Sequence, residues 1–362
     1  MMELKNTIID GRYHLFEQIG AGGMSLVYKA MDRLTNQAVA LKIMKEHVTS
    51  TRIEDIIRFR REIEIVTKFS HPNIIKLYGY GEFDNKPYIV MEYLSGRSVR
   101  DLFQSGGSLN YPEAVEIVKQ ITESLIYVHR HGVIHRDIKP GNIFIIEESG
   151  QIQVKLIDFG VALALEFGAI KEAAEVIGTF GYMSPEATGI LNNRLDERSD
   201  LYSLGVVFYH MLTNELPFQG DNVNQIIHRQ VALTPPDPCK KNPEIPPVLE
   251  AIVLKLLQKD PDLRYQSARG LLADLDRYQH GERQFEIGAQ DQKVKLTYQT
   301  RLVGRETEFE KVKEFIRQAE SGHGGICLIA GEAGVGKSRF IEAVRGFVYE
   351  MAERFNSGLI SG

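Results

Sequence analysis

The segment that most constrains this chain is residues 135–142, which carry a carboxylate, a lysine and an amide at close spacing. Asp137 can orient an attacking hydroxyl and accept its proton, Lys139 can neutralise charge on a transferred phosphate, and Asn142 can bind Mg²⁺. These residue types indicate phosphoryl-transfer chemistry. Taken alone, the segment is also compatible with a turn that a capping Asp stabilises.

Two short apolar runs follow this segment and predict a β-hairpin. Residues 143–146 and 152–157 form the runs, and a polar, glycine-containing turn separates them. Antiparallel pairing would bring Asn142, before the first strand, next to Asp158, after the second. Both side chains carry the oxygen ligands that Mg²⁺ prefers, so both are predicted metal ligands.

The N-terminal part of the chain predicts a nucleotide-binding sheet. Residues 13–19 are typical of a strand, and the glycines after them would let backbone amides approach phosphates. In the predicted strand 39–43, alternation places Ala40 and Lys42 on one face, where they suit adenine and phosphates. An ordinary hairpin and an exposed strand lysine are the structural alternatives.

Residues 53–69 have apolar residues at helical spacing, with Glu62 at the border of the apolar face. Glu62 can therefore point at Lys42 and orient it toward the phosphates, although such a glutamate is usually only solvated. Two strands are predicted next, at 74–80 and 87–93. The second leads into a hinge, whose backbone groups can hydrogen-bond adenine.

A strongly periodic segment, residues 111–130, predicts a long helix beneath residues 135–142. Its apolar residues recur on one face: Ala114, Ile117, Ile121, Leu125 and Val128.

From about residue 11 to about residue 280, the chain resembles a bacterial eukaryotic-type (Hanks-type) serine/threonine protein kinase. Residues 135–142 match H-R-D-x-x-x-x-N and residues 158–160 match D-F-G. Residues 184–186 are a Ser-Pro-Glu variant of A-P-E, and Lys139 is typical of serine/threonine kinases. The resemblance implies an α+β fold class, the bilobal protein kinase fold. An N-terminal lobe of β-sheet plus helix C would be followed by a mainly helical C-terminal lobe.

The resemblance also implies individual roles. Glu186 is expected to pair with Arg264, and Asp200 to brace the backbone of residues 135–142. The predicted catalytic residues are Asp137, Lys139, Lys42 and Glu62, and the predicted metal ligands are Asn142 and Asp158. The predicted ATP-binding residues are Ile19, Gly20, Ala21, Gly22, Gly23, Met24, Ser25, Leu26, Val27, Ala40, Lys42, Met91, Glu92, Leu94 and Phe144, with Val27, Ala40 and Phe144 enclosing adenine.

Two departures from the family pattern stand out. Ser25 replaces the third glycine of the glycine-rich loop, which restricts the loop tip to fewer backbone conformations. Residues 161–178 contain no Ser, Thr or Tyr, so the phosphate that would pair with Arg136 in related kinases has no acceptor there.

Composition limits the partners and the compartment. A formal net charge of -5 without a long basic run argues against nucleic-acid binding. Cys239 and Cys327 are far apart, which favours neither a disulfide framework nor a zinc site and fits a reducing cytoplasm. No run approaches the roughly 20 apolar residues of a membrane span, so no membrane anchor is expected. The expected partners are ATP, Mg²⁺ with Mn²⁺ as a substitute, and protein substrates, and a homodimer is left open.

A second module follows. Residues 281–300 are expected to form a linker, and residues 301–362 the N-terminal portion of an α/β P-loop ATPase domain. A helix at 306–320 and an apolar strand at 326–330 precede a G-x-x-x-x-G-K-S motif. This order resembles the start of an AAA/STAND-type ATPase. The predicted phosphate-binding residues of this motif are Gly331, Gly336, Lys337 and Ser338.

These observations predict an ATP-dependent serine/threonine protein kinase that also phosphorylates itself, in bacterial signalling. The alternative is a nucleotide-binding pseudokinase or scaffold that regulates the fused ATPase module. A third possibility makes the P-loop module the working enzyme and the kinase its regulator.

The P-loop module is expected to be incomplete, since no second apolar strand ending in Asp or Glu follows Ser338. An isolated peptide of residues 301–362 is therefore predicted neither to hydrolyse nor to bind ATP tightly. A phosphate-release assay tests this prediction, and measurable turnover by the peptide would contradict it.

Overall fold

A computed structural model divides the chain into two compact units, Met1–Lys293 and Val294–Gly362. The described residues are 4–22, 25–45, 63–107, 109–148, 150–158, 180–188, 195–291, 305–320, 325, 327–331, 340 and 344.

The first unit opens with a six-stranded antiparallel sheet. Its strands are β1 (Ile8–Ile9), β2 (Tyr13–Ala21), β3 (Ser25–Asp32), β4 (Gln37–Met44), β5 (Leu77–Phe83) and β6 (Lys86–Glu92). Their spatial order is β1-β2-β3-β4-β6-β5, which places β4 inside the sheet. The predicted alternation of β4 is confirmed, because Val39 and Leu41 pack in one buried cluster while Ala40 packs in another.

The strand predicted at 74–80 starts later than the sequence indicates. Residues 73–75 pair instead with the strand that leads to Asp158: Leu156 N–H donates to Asn73 O (2.8 Å), and Ile75 N–H donates to Leu156 O (3.0 Å). An isolated parallel bridge joins Ile74 to Leu156. The apolar run is therefore divided between two sheets, a pairing choice that local alternation cannot reveal.

A second, three-stranded sheet carries the predicted hairpin. Its strands are β7 (Arg97–Ser98), β8 (Ile143–Glu148) and β9 (Gln151–Leu156), and β8 lies between the other two. β8 and β9 pair in antiparallel register, with Ile143 opposite Leu156. The hairpin prediction is therefore confirmed, and the register places residues 142 and 157 side by side.

The rest of the unit is mainly helical. Its helices are α1 (Val99–Gln104), α2 (Tyr111–Arg130), α3 (Arg198–Thr213), α4 (Val223–Ala232), α5 (Pro238–Lys241), α6 (Pro247–Leu256) and α7 (Ala268–Gln279). The described residues 63–66, within the predicted helix 53–69, are also helical. None of the helices in the described ranges has the length and apolar character needed to cross a bilayer.

Helix α2 forms over the predicted bounds because its start is encoded locally. The Asn110 side chain accepts from the Glu113 backbone N–H while the Glu113 side chain accepts from the Asn110 N–H, which is a capping box. The five predicted core residues of α2 are all buried. Four of them join α3, β8 and β9 in one large hydrophobic cluster, and Val128 packs in the cluster that contains Ala40 and Met91.

Residues 281–291, at the start of the predicted linker, pack against the helical lobe. Phe285 and Ile287 contact its core. The Asp291 carboxylate accepts from the backbone N–H groups of Gln266 (2.5 Å) and Ser267 (3.1 Å), at the start of α7. The polar composition of this stretch did not indicate such packing.

The second unit contains helix α8 (Glu306–Glu320), with the predicted bounds. The strand predicted at 326–330 is wrong for the described residues 327–330, which form no strand. Leu328 is 87% exposed. A strand needs a neighbouring strand for its backbone hydrogen bonds, and the described part of this unit supplies no such partner.

A buried ion pair ties the helical lobe together. Both guanidinium Nη atoms of Arg264 donate to the Glu186 carboxylate, at 2.6 and 2.7 Å, with the two side chains 0% and 1% exposed. Arg264 also donates to the backbone carbonyls of Gln258 and Lys259, and Ser199 Oγ donates to Glu186. The expected Glu186–Arg264 pair is therefore confirmed, and both of its charged groups make further hydrogen bonds.

Replacing Arg264 with Met should lower the free energy of unfolding by about 3–5 kcal/mol, because the Glu186 carboxylate would stay buried without its partner. Urea unfolding followed by circular dichroism measures this loss. The matched control is Arg97→Met, which removes an exposed pair with Glu147 and should cost less than about 1 kcal/mol. Equal losses in the two variants would contradict the assigned role of burial.

Candidate active site

The catalytic loop, residues 135–142, is held by one carboxylate from the start of α3. Asp200 Oδ2 accepts from the His135 backbone N–H and Oδ1 accepts from the Arg136 N–H, both at 2.8 Å. The His129 ring also contacts Asp200 Oδ2 (2.8 Å). Burial alone would raise the pKa of Asp200, but the contact with His129 and the backbone donors outweigh it and hold the pKa below its usual value. The expected bracing role of Asp200 is confirmed.

His135 connects the catalytic loop to the segment that leads to Asp158. It is fully buried, and burial lowers its pKa, so the neutral ring is favoured. Its Nδ1 accepts from the Asp137 backbone N–H (3.3 Å), which leaves the proton on Nε2 to be donated to Ile157 O (3.3 Å). The ring therefore links the backbone of Asp137 to the residue before Asp158.

Three predicted residues of the catalytic loop meet at one carboxylate oxygen. Asp137 Oδ2 contacts Lys139 Nζ at 2.8 Å and accepts from Asn142 Nδ2 at 2.7 Å. Asn142 Nδ2 also donates to the backbone carbonyl of Asp137 (2.8 Å). The Asn142 amide is thus fixed with its nitrogen toward Asp137, and its oxygen is the atom left for a cation.

The second half of the site is formed by Asp158 and Lys42. The Ile157 N–H donates to Asn142 O (2.9 Å), which fixes Asp158 next to Asn142. Lys42 Nζ lies 2.8 Å from Asp158 Oδ1, and both side chains are partly buried. Burial would raise the pKa of Asp158, but the charge of Lys42 outweighs it and lowers the pKa, so the carboxylate is ionised. An ionised carboxylate beside an amide oxygen suits Mg²⁺, which commonly binds one or two carboxylates together with substrate phosphates.

Two residues of the site have left-handed backbone conformations without being glycine. These are Arg136 (φ 66°) and Asp158 (φ 54°), each next to a predicted catalytic or metal-binding group. Such conformations cost of order 1–3 kcal/mol and persist where the surrounding contacts impose them. The Asp200 and Asn142 hydrogen bonds described above supply those contacts.

The predicted adenine-contacting residues lie together. Ala40 and Met91 are buried in one apolar cluster, and Val27 and Leu94 pack against it. On β8, Ile143 and Ile145 point into the core of the helical lobe, so alternation turns Phe144 to the other face. A side chain added at Gly96 would meet the Phe144 ring at 3.0 Å, which places this ring beside the hinge, residues 91–96.

The glycine-rich turn lies at the tip of the β2–β3 hairpin. The Gly22 N–H donates to Ser25 O (2.9 Å), and Lys45 Nζ donates to Gly22 O (2.6 Å). Ile19 is exposed, and Gly20 and Ala21 pair with β3. Leu26 packs into the cluster on the opposite face of the sheet from Val27, so any contact of Leu26 with nucleotide would come from its backbone.

Glu92 has a role that sequence reasoning missed. It was predicted for its backbone, but its N–H already donates to Lys76 O (2.9 Å). Its carboxylate Oε1 accepts from the Lys76 N–H (2.8 Å) and from Lys155 Nζ (2.7 Å) on β9. The hinge is therefore tied to the strand that leads to Asp158. The sequence signal for this contact was Lys155, which alternates in β9 with the buried Val154 and Leu156.

Several predicted residues lie outside the described part of the chain. They are Glu62, Gly23 and Met24 in the first unit and Gly336, Lys337 and Ser338 in the second. Gly331 is described, outside any helix or strand. The roles assigned to the site residues stay predictions.

The fold, the hairpin and the loop geometry agree with the comparison to known families. The protein kinase domain family matches residues 13–274. This chain belongs to that family. The AAA ATPase domain family matches residues 301–356.

Relatives of this kinase-family chain are named as bacterial serine/threonine-protein kinases. PknB of Mycolicibacterium smegmatis is 39% identical over 280 residues, which are 76% of this chain and 44% of the relative. PrkC of Bacillus subtilis is 38% identical over 268 residues, 74% of this chain and 40% of the relative. The chain thus spans about two fifths of the length of these relatives.

Solved kinase structures share the fold. The PknI kinase domain of Mycobacterium tuberculosis has a TM-score of 0.61 at 24% identity, over 76% of this chain and 99% of that domain. A crystal structure of Rad53 in complex with AMP-PNP has a TM-score of 0.60 at 30% identity, over 72% of this chain and 64% of Rad53.

Replacing Asp200 with Asn should destabilise the protein by about 2–4 kcal/mol near neutral pH, because a buried charged acceptor is lost. The folded pKa of Asp200 lies below its usual value of 3.8, so its contribution is present above about pH 4 and is lost as the pH falls further. The difference in unfolding free energy between wild type and Asp200→Asn should therefore shrink below about pH 4.

Urea unfolding across this pH range measures the effect. The control is Asp84→Asn, which changes an exposed carboxylate in the β5–β6 turn and should give a small, nearly constant difference. A difference for Asp200→Asn that stays constant down to about pH 3 would contradict the assignment.

Proposed function

We propose that this chain is an ATP-dependent protein kinase that transfers the γ-phosphate to serine or threonine hydroxyls of proteins, including its own. The observation that carries this proposal is the continuous set of contacts from Lys139 through Asp137 and Asn142 to Asp158 and Lys42. This connected site would supply a base, a cation for the transferred phosphate, two metal ligands and a second cation.

The proposed role of Asp137 is to orient the acceptor hydroxyl and take its proton. Its Oδ2 is occupied by Lys139 and Asn142, so Oδ1 is the oxygen that would face the hydroxyl. Lys139 Nζ would stay close to the γ-phosphate and offset its charge during transfer. Little bond chemistry is required of the protein, so catalysis would come from positioning and electrostatics.

Mg²⁺ is the proposed metal, held by Asn142 and Asp158, with Mn²⁺ as a substitute. The bound ion would neutralise phosphate oxygens of ATP. Lys42 Nζ lies 2.8 Å from Asp158 Oδ1, beside the proposed metal site. Lys42 would contact the α- and β-phosphates of ATP, with Glu62 as its orienting carboxylate.

The adenine ring would enter the apolar space bounded by Val27, Ala40 and Met91 from the sheet and by Phe144 from the hairpin. Leu94 packs at the same cluster, and its backbone offers hydrogen-bonding groups for the purine edge. The proposed organisation is a kinase domain over residues 11–280, with residues 281–291 packed on it, then an AAA/STAND-type module.

The test is transfer of label from Mg-[γ-³²P]ATP to the protein and to a generic acceptor protein. Wild type should incorporate label, Asp137→Asn should lose at least about 100-fold in rate, and EDTA should abolish transfer. Lys337→Ala, in the second module, should keep the wild-type rate.

The alternative, a pseudokinase, predicts nucleotide binding without label in wild type. Equal labelling of wild type and Asp137→Asn would instead indicate a contaminating kinase and would remove support from the proposal. Loss of label in Lys337→Ala alone would favour the P-loop module as the working enzyme.

A further inference from the structure

A glutamine side chain from α4 fixes the backbone of residues 180–183. Gln230 Nε2 donates to the carbonyls of Phe180 (2.8 Å) and Gly181 (2.9 Å), some fifty positions earlier in the chain. The Met183 N–H donates to the same Phe180 carbonyl (3.2 Å) and closes a turn. One side chain therefore sets both the conformation of this turn and its distance from α4.

Burying the polar amide of Gln230 costs free energy, which its hydrogen bonds must offset. The residue is 0% exposed, and its Oε1 is buried without a hydrogen-bond partner among the described residues. Leaving a buried amide oxygen unpaired is unfavourable, and an apolar residue of similar size would avoid that cost. The contribution of Gln230 therefore lies in its two donors.

The braced turn lies next to the catalytic loop. A small cavity of about 20 Å³ is lined by Met183 and Ser184 on one side and by Arg136 and Asp200 on the other. Arg136 is the residue before Asp137, the proposed acceptor of the hydroxyl proton. A protein chain that presents a hydroxyl to Asp137 would therefore lie against residues 180–184.

Two other contacts within the described residues fix neighbouring atoms of this segment. Burial lowers the pKa of His210 to about 4, so its neutral ring can accept at Nδ1 from the Tyr182 hydroxyl (2.7 Å). This bond fixes the Tyr182 side chain against α3. The Glu186–Arg264 pair fixes the following 3₁₀ turn, Pro185–Thr188. Among the side-chain hydrogen bonds of the described residues, those of Gln230 are the ones that reach the carbonyls of residues 180 and 181.

We propose that Gln230 is a positioning residue for the protein substrate, acting through the backbone of residues 180–183. It touches neither ATP nor the reacting atoms. The inference rests on the proposed kinase activity and adds to it a determinant of protein-substrate affinity that lies on α4, away from the catalytic loop.

The test compares Gln230→Met with Gln225→Met, the same substitution at an exposed position of the same helix. Gln230→Met should raise the KM for a generic protein acceptor about tenfold, equivalent to about 1.4 kcal/mol. The KM for ATP should change less than about twofold, because the nucleotide site is not touched. Gln225→Met should leave both constants unchanged.

Gln230→Asn serves if the Met variant does not fold. It keeps the amide but shortens the side chain by one methylene, so its donors fall short of the two carbonyls, and the same KM split is expected on a smaller scale. An unchanged protein KM in a folded variant, or equal changes in both KM values, would overturn the proposal.

Hydrogen exchange of the amides at residues 181–184 gives a readout that needs no activity. Exchange should be faster in Gln230→Met than in wild type and unaltered in Gln225→Met. If wild type transfers no phosphate, the kinase proposal fails. Amide hydrogen exchange still measures whether Gln230 restrains residues 181–184. Unaltered exchange together with an unchanged protein KM rejects the role of Gln230 alone.

Discussion

The Asp200 carboxylate is the contact on which the active-site geometry depends. Backbone N–H groups in a buried loop need partners, and the catalytic loop forms no helix or sheet ladder at residues 135 and 136 that could supply them. Asp200 supplies both partners from the first turn of α3, a helix whose sides are almost entirely buried. The left-handed backbone at Arg136 is sustained there, so the position of Asp137 follows from the packing of α3.

Hydrogen bonds and ion pairs connect the other residues of the site to the loop that Asp200 holds. The His135 ring joins Asp137 in the loop to Ile157, the residue after β9, and the Ile157–Asn142 backbone bond joins the loop to Asp158. Lys42 reaches the same carboxylate from the sheet of the N-terminal lobe, and the Glu92–Lys155 pair ties that lobe's hinge to β9. These contacts therefore join the sheet of the N-terminal lobe to the helical lobe in one polar network at the site.

Sequence patterns were reliable where the structure is encoded locally. The capping box at Asn110 and the apolar face of α2 gave that helix its bounds, and the hairpin of β8 and β9 followed from two apolar runs and a turn. Sequence patterns failed where the structure depended on which neighbouring strand a segment pairs with. Residues 73–75 join β9 rather than continuing β5, and residues 327–330 form no strand, although both runs are apolar.

The sequence by itself determined the chemical groups of the site, because the spacing of Asp137, Lys139 and Asn142 and the hairpin leading to Asp158 are short-range features. Only the tertiary structure decided which distant side chains hold those groups in place. Asp200 under the catalytic loop follows from family resemblance, and the alternation of β9 marks Lys155 without revealing Glu92 as its partner. Gln230 against residues 180 and 181 carries no local signal. Their partners lie tens of residues away, and only the packing of the lobes brings donor and acceptor within hydrogen-bonding distance.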